Sequence, residues 1–273
     1  MTFQKKLQTV QRKHRSLLCI GLDSDRQLLP SHLPRTADAV LEFNRAIIDA
    51  TSDLACAYKL NLAFYEALGN DGWRVTDETL RSIPPSIITI GDGKRGDIGN
   101  TAEQYAQALY YDFGFDAVTV HPYMGFDSVE PFIQDADRCA FVLALTSNEG
   151  SKDFQRLTVG GRPLYEKVVQ TVTKWNKKMN LGLVVGATHP DELKPIRALV
   201  PAMPLLIPGV GKQGGDLKSA VRYGCDKNGE LAVINAGRSI LYASSTKNYA
   251  AAARKEAAKL RTQMQRYQEQ FFS

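Results

Sequence analysis

Short runs of consecutive apolar residues alternate along this chain with longer segments in which apolar residues recur every three or four positions. Eight runs have the first character: Leu17–Leu22, Leu54–Leu60, Ile87–Asp92, Ala117–His121, Ala140–Thr146, Gly182–Gly186, Leu205–Pro208 and Leu231–Asn235. Each is brief and rich in Val, Ile, Leu or Ala, as a parallel strand covered on both faces should be. The segments between them predict helices, among them Ala37–Ser52, Thr101–Asp112, Pro163–Lys178, Asp191–Leu199 and Gly215–Tyr223. Repeated strand–helix units build either an open doubly wound sheet or a closed barrel. The count, and the polar residues at strand ends in every part of the chain, favour an α/β fold of the (β/α)8 TIM-barrel type. Residues 1–273 are expected to form a single domain. Tyr249–Phe271 predicts a long charged helix, a C-terminal extension that caps the barrel or covers its outside.

Composition agrees with this picture. A length of 273 residues is ordinary for one such barrel, typically about 250. An apolar fraction of 44% and a charged fraction of 23% describe a globular chain able to bury its own core. The net charge of +5 suits an anionic ligand without demanding one. Basic residues gather near the N-terminus (Lys5, Lys6, Arg12, Lys13, His14, Arg15) and along the C-terminal helix. Neither group carries interleaved aromatics, so they read as solvated helix faces and not as a nucleic-acid surface. No run approaches the roughly 18 apolar residues of a membrane span, and the polar N-terminus lacks a signal-peptide core. Cys19, Cys56, Cys139 and Cys225 form no CxxC or Cys/His metal pattern. His14, His32 and His189 are not spaced as ligands. The expectation is reduced thiols, no metal and a cytoplasmic protein.

Residues 89–102 carry the chemistry: Thr-Ile-Gly-Asp-Gly-Lys-Arg-Gly-Asp-Ile-Gly-Asn-Thr-Ala. Asp92 and Lys94 stand where an apolar strand runs out, and strand alternation should point them the same way. A Lys buried among carboxylates stays protonated, because negative neighbours favour its charged form. Glycines at 91, 93, 96 and 99 remove side-chain bulk around these charges, as close approach of a ligand requires. The first two strands end in Gly21-Leu22-Asp23 and Tyr58-Lys59-Leu60. In a barrel, Asp23, Lys59, Asp92 and Lys94 would therefore meet at one rim, where such folds place their active sites. After the seventh strand the chain reads Pro208-Gly209-Val210-Gly211-Lys212-Gln213-Gly214-Gly215, and after the eighth Asn235-Ala236-Gly237-Arg238-Ser239. Glycine-rich turns expose backbone N–H groups to phosphate, and Arg238 can grip it bidentately. Thr146-Ser147-Asn148 ends the fifth strand and could instead cap a following helix. His121 reads as a hydrogen-bonded structural residue.

The Asp-x-Lys-x-x-Asp-Ile-Gly-x-Thr spacing of residues 92–101 is complete and resembles the signature of the orotidine 5'-phosphate decarboxylases, in their longer bacterial and protozoan form. Matching segments extend from Leu18 to Arg238. The resemblance implies cofactor-independent decarboxylation of orotidine 5'-monophosphate to uridine 5'-monophosphate. It implies a Lys59-Asp92-Lys94-Asp97 array, with Lys94 as the proton donor. It also implies a homodimer in which Asp97 and Thr101 reach the neighbouring site, Ser147 on the pyrimidine edge and Gln213 closing over the phosphate. Two departures from common bacterial relatives affect loop shape only: Lys59-Leu60-Asn61 for Lys-Pro-Gln, and Asn148-Glu149-Gly150 for Asn-Pro-Gly. The nearest alternative is a metal-dependent phosphosugar decarboxylase or aldolase sharing the Asp-x-Lys frame.

Overall fold

The computed structural model describes residues 1–186, 190–209 and 216–272. Eight strands are present: β1 Leu18–Gly21, β2 Ala57–Asn61, β3 Ile88–Arg95, β4 Ala117–Val120, β5 Cys139–Leu145, β6 Leu181–Val185, β7 Leu205–Ile207 and β8 Ala232–Ala236. They pair in chain order, all parallel, and the sheet closes where β1 meets β8 through Leu18↔Ile234, Cys19↔Asn235 and Ile20↔Ala236. The eight apolar runs are thus the eight staves of a (β/α)8 barrel. Every residue of β1, β4, β6 and β8 is buried. One face of each fills the barrel interior and the other lies under helices, so no polar alternation survives. The four cysteines are part of this packing. All are buried and unpaired, and burial pushes the Cys56 thiol up to about 12.

Local chemistry sets the helix boundaries. Thr36 accepts a hydrogen bond from the Ala39 N–H at 3.3 Å and starts the helix Ala37–Thr51. The segment predicted as one helix over 101–112 is an α-helix, Gly99–Ala106, that widens into a π-helical stretch over Gln107–Asp112. The helix expected from Pro163 begins at Leu164 and ends at Trp175. Pro163 belongs instead to an antiparallel ribbon of Thr158–Val159 with Arg162–Pro163, turned by Gly160 and Gly161 at φ +61° and +80°. Two-residue strands are too short to show an alternating pattern, so the Gly160-Gly161 pair is the ribbon's one signal in the sequence.

Two helices outside the βα repeat complete the molecule. Phe3–His14 lies across the N-terminal mouth of the barrel, with Phe3, Leu7 and Val10 buried. The Gln11 amide donates to the Ala232 carbonyl at 2.7 Å and accepts from the Leu231 N–H at 3.0 Å. Lys6 Nζ lies 2.6 Å from Asp116, just ahead of β4, and Arg12 pairs with Glu230, just ahead of β8. These two cations are tethered and not simply solvated as expected, because the helix faces an acidic rim supplied by distant parts of the chain. The C-terminal helix Tyr249–Phe272 covers the outside, against Ala37–Thr51 and Leu217–Gly224. Its buried Ala253, Ala257, Leu260 and Met264 recur at helical spacing. No described helix is long and apolar enough to cross a membrane.

Gly182 in β6 shows how tightly the staves are packed. A Cβ there would fall 2.5 Å from Phe141 Cδ1 and 2.9 Å from the Pro204 carbonyl oxygen. Phe141 is itself held edge-on against Phe3, with ring centroids 6.0 Å apart. Gly182→Ala should lower the unfolding free energy by about 1–3 kcal/mol, the usual penalty of overpacking. Urea denaturation checks this; a midpoint unchanged from wild type would show that Phe141 can move at no cost.

Candidate active site

At the C-terminal mouth, β3 supplies two of the charges, Asp92 and Lys94. Against β2 its register is regular through Asn61↔Asp92. Against β4 the register shifts: Gly91 opposes Val118 and Arg95 opposes Val120. Four steps of β3 thus match two of β4, and the excess is taken up in a bulge in which Lys94 adopts φ +46°. A left-handed backbone at a non-glycine residue costs about 1–2 kcal/mol. The common direction of Asp92 and Lys94 is therefore not plain strand alternation, as the sequence suggested, but the result of this irregularity.

Four charged side chains form a continuous chain of ion pairs. Lys59 Nζ, from β2, lies 3.3 Å from Asp23 Oδ1 and 2.9 Å from Asp92 Oδ2. Lys94 Nζ lies 2.8 Å from Asp92 Oδ1. Asp23 comes from just beyond β1, so three neighbouring strands supply the array. Lys59 is the buried lysine, its side chain 4% exposed. Burial opposes its charge, but Asp23 and Asp92 outweigh that and hold its pKa above the ordinary lysine value. Burial likewise raises the Asp92 pKa, and Lys59 and Lys94 overcome it, leaving the carboxyl well below the usual range. The expectation of a buried Lys94 among carboxylates is corrected: its side chain is 48% exposed and, among the described residues, it pairs with Asp92 alone. The reason is position, since Lys94 stands on the lip of the mouth, above Asp92.

The remaining candidates are spread around the same rim. Asp97 is half-buried, accepts the Ile98 N–H at 2.8 Å and makes no ion pair with a described residue. Thr101 is exposed on the helix Gly99–Ala106. The structure thus does not bring Asp97 or Thr101 to the array of their own chain. Ser147, half-buried beyond β5, makes no hydrogen bond to a described residue, whereas its neighbours are engaged. The Thr146 hydroxyl donates to Asn148 Oδ1 at 2.6 Å, and the Thr146 N–H donates to Gln155 at 2.7 Å. The helix Ser151–Phe154 has no side-chain cap, so the capping alternative for Ser147 falls away. Asn61 caps the helix Leu62–Glu66 through the Ala63 N–H at 3.3 Å.

On the opposite side, Gly209 follows β7 at φ +92°, a backbone that favours glycine. Gly237 follows β8, and a Cβ on it would sit 3.3 Å from the Gly21 carbonyl oxygen and 3.8 Å from Asp23 Oδ2. Arg238, exposed at the start of the short helix Arg238–Leu241, has no ion pair with a described residue. Gly211 and Gln213 lie outside the described residues. His121 departs from expectation: its Nδ1 is buried with no hydrogen-bond partner among the described residues, and a Cβ on Gly96 would fall 2.2 Å from its Nε2. Among the described residues no three His, Cys, Asp or Glu side chains gather as a metal site.

One residue at the site escaped the sequence reading. Thr119, in the middle of β4, is 1% exposed; its hydroxyl lies 2.8 Å from Asp92 Oδ1 and accepts the Lys94 N–H at 2.9 Å. The only available signal was a hydroxyl in an otherwise apolar strand, Ala117-Val118-Thr119-Val120.

Removing Lys59 should expose the cost of the buried carboxylate. Lys59→Met leaves Asp92 with one cation fewer and should destabilise the fold by about 3–5 kcal/mol. The pH dependence follows from the direction of the Asp92 shift. A depressed carboxyl contributes stability that is complete above its unfolded value of about 3.9 and drains as pH falls toward the lower folded value. The gap between wild type and Lys59→Met, read by urea titration, should therefore be constant from about pH 5 to 8 and narrow on acidification below about pH 4. A gap that widens in acid would contradict this coupling.

Residues 16–255 match the family model described as "Orotidine 5'-phosphate decarboxylase / HUMPS family". The chain is 49% identical over 275 aligned positions to a Dehalococcoides mccartyi protein named orotidine 5'-phosphate decarboxylase, covering 99% of this chain and 100% of the other. Among solved structures, the Leishmania donovani OMP decarboxylase superposes with a TM-score of 0.83 at 38% identity, covering 96% of this chain and 99% of that one. The Leishmania donovani UMP synthase matches at 39% identity and TM-score 0.85, covering 96% of this chain but 57% of its own length. With its barrel, its charged mouth and near full-length relatives all in agreement, this chain belongs to the orotidine 5'-phosphate decarboxylase / HUMPS family.

Proposed function

We propose that this protein is a carboxy-lyase that converts orotidine 5'-monophosphate to uridine 5'-monophosphate and CO2 without a cofactor, the last step of UMP synthesis. The observation that carries this reading is the unbroken Asp23–Lys59–Asp92–Lys94 array at the C-terminal mouth of the barrel. One barrel domain over residues 1–273 holds the whole reaction. The four buried, unpaired thiols suit the cytoplasm.

Loss of CO2 leaves a carbanion at C6 in an orbital perpendicular to the ring π-system, so ring resonance gives it little relief. Electrostatics must supply the acceleration, up to about 23 kcal/mol for demanding reactions. Asp92 near the substrate carboxylate destabilises the ground state, but two unit charges about 4 Å apart at an effective dielectric of about 20 repel by only about 4 kcal/mol. The larger share falls to Lys94. Its ammonium stabilises the charge developing at C6 and then donates the proton. Its half-exposed position above Asp92 leaves that ammonium open to the mouth. Lys59 keeps Asp92 ionised from beneath. Gly209, Gly211, Gly237, Arg238 and Gln213 hold the phosphate, whose remote binding energy orders the site, and Ser147 reads the pyrimidine edge.

The active form is a homodimer in which Asp97 and Thr101 complete the neighbouring subunit's array. In support, Asp97 has no cationic partner among the described residues. Ile98, Tyr123 and Met124 on the loops after β3 and β4 are also 53%, 89% and 42% exposed.

The decisive assay follows the absorbance of orotidylate in the presence of a chelator. Turnover should persist; a strict metal requirement would instead favour a phosphosugar lyase of the same frame. Lys94→Ala should remain folded by circular dichroism and lose at least about 1,000-fold in kcat, as removal of a general acid and its charge together predicts. Wild-type rates in that variant would end the donor assignment. Arg238→Ala should damage turnover of orotidylate far more than that of unphosphorylated orotidine; equal losses would remove Arg238 from the phosphate site.

A further inference from the structure

We propose that Thr119 is a positioning residue that fixes the proton donor and its carboxylate partner relative to each other. The inference rests on the decarboxylase reading for its catalytic consequence, but the geometry stands apart from it. The hydroxyl of Thr119 has two contacts, and their directions are forced. The Lys94 N–H can only donate, so it donates to Oγ1 at 2.9 Å. The Asp92 carboxylate can only accept, so the hydroxyl proton points to Oδ1 at 2.8 Å. One side chain from β4 therefore ties the backbone of Lys94 to the side chain of Asp92.

Two consequences follow. The first concerns the bulge. Between Gly91 and Arg95 the β3–β4 ladder is interrupted, so the Lys94 N–H lacks a regular strand partner, and Thr119 takes that place. This bond supports the left-handed backbone of Lys94, which would otherwise relax toward an ordinary strand and swing Nζ away. The second concerns the carboxylate. Asp92 Oδ1 receives Lys94 and Thr119, while Oδ2 receives Lys59. With a donor fixed at Oδ1 from β4, the carboxylate plane is set and each lysine has its own oxygen. Thr119 is 1% exposed, so bulk water does not stand in for the hydroxyl.

Thr119→Val keeps the shape and removes the hydroxyl; Thr119→Ser keeps the hydroxyl and removes the methyl. In the valine variant kcat for orotidylate should fall about 10–100-fold, the range expected when reacting groups lose alignment by a fraction of an ångström to one ångström. The Kd for UMP should stay within about twofold, because the phosphate and base contacts are untouched. The serine variant should recover wild-type kcat to within about threefold. Hydrogen exchange provides a readout that does not depend on turnover: the Lys94 amide should exchange at least about tenfold faster in Thr119→Val than in wild type or Thr119→Ser. Full activity in the valine variant, an equal loss in the serine variant, a parallel loss of UMP affinity, or an unchanged Lys94 amide would each overturn the assignment. If wild type fails to turn over orotidylate, the decarboxylase reading is lost, yet the exchange comparison still decides whether Thr119 pins the bulge.

Discussion

The Asp92 carboxylate is the contact on which the catalytic end of this barrel depends. Burying an isolated carboxylate costs several kcal/mol even after relaxation, and the cost is offset only when the charge is paired and its oxygens are satisfied. Here Lys59, Lys94 and Thr119 together meet that condition from three different strands. Each donor needs Asp92 as much as Asp92 needs them, most of all Lys59, whose one other ion pair among the described residues is with Asp23. The array alternates in sign and sums to no formal charge. Its field is strong within a few ångströms and weak beyond.

Barrel geometry makes this possible by dividing labour between its two ends. The N-terminal mouth is closed by Phe3–His14, with buried apolar residues and ties to the chain ahead of β2, β4 and β8. At the opposite mouth no helix of the described residues plays that part, and there the strand ends carry charge and glycine. Register does the rest. Gly21 lies beside Lys59, and Lys59 beside Ile90, so Asp23 and Asp92 each stand two residues beyond the level of Lys59 and its long side chain reaches up to both.

Much of this was legible in the sequence, for identifiable reasons. The staves could be read because parallel strands buried on both faces are apolar throughout. Asp23, Lys59, Asp92 and Lys94 stood out because charges at the ends of such runs are rare without a partner. What stayed hidden depends on contacts between distant positions. The bulge in β3 exists only relative to β4. Thr119 looks like a tolerated hydroxyl until its two partners are in place. Lys6 and Arg12 read as solvated because Asp116 and Glu230 lie more than a hundred residues away. The relative exposure of Lys59 and Lys94 was also invisible, since it is set by their heights along the barrel axis and not by residue type.

The four cysteines carry a consequence of their own. None exceeds 3% exposure, and in each the thiol is held protonated by its burial. A thiol reacts as thiolate and only where a reagent can reach it. Cys19 and Cys139 lie in staves, Cys56 at the foot of another, and Cys225 just past an outer helix. Alkylation at these four sites is consequently a gauge of breathing, with each sulfur registering how often its own sector of the wall parts from its neighbours.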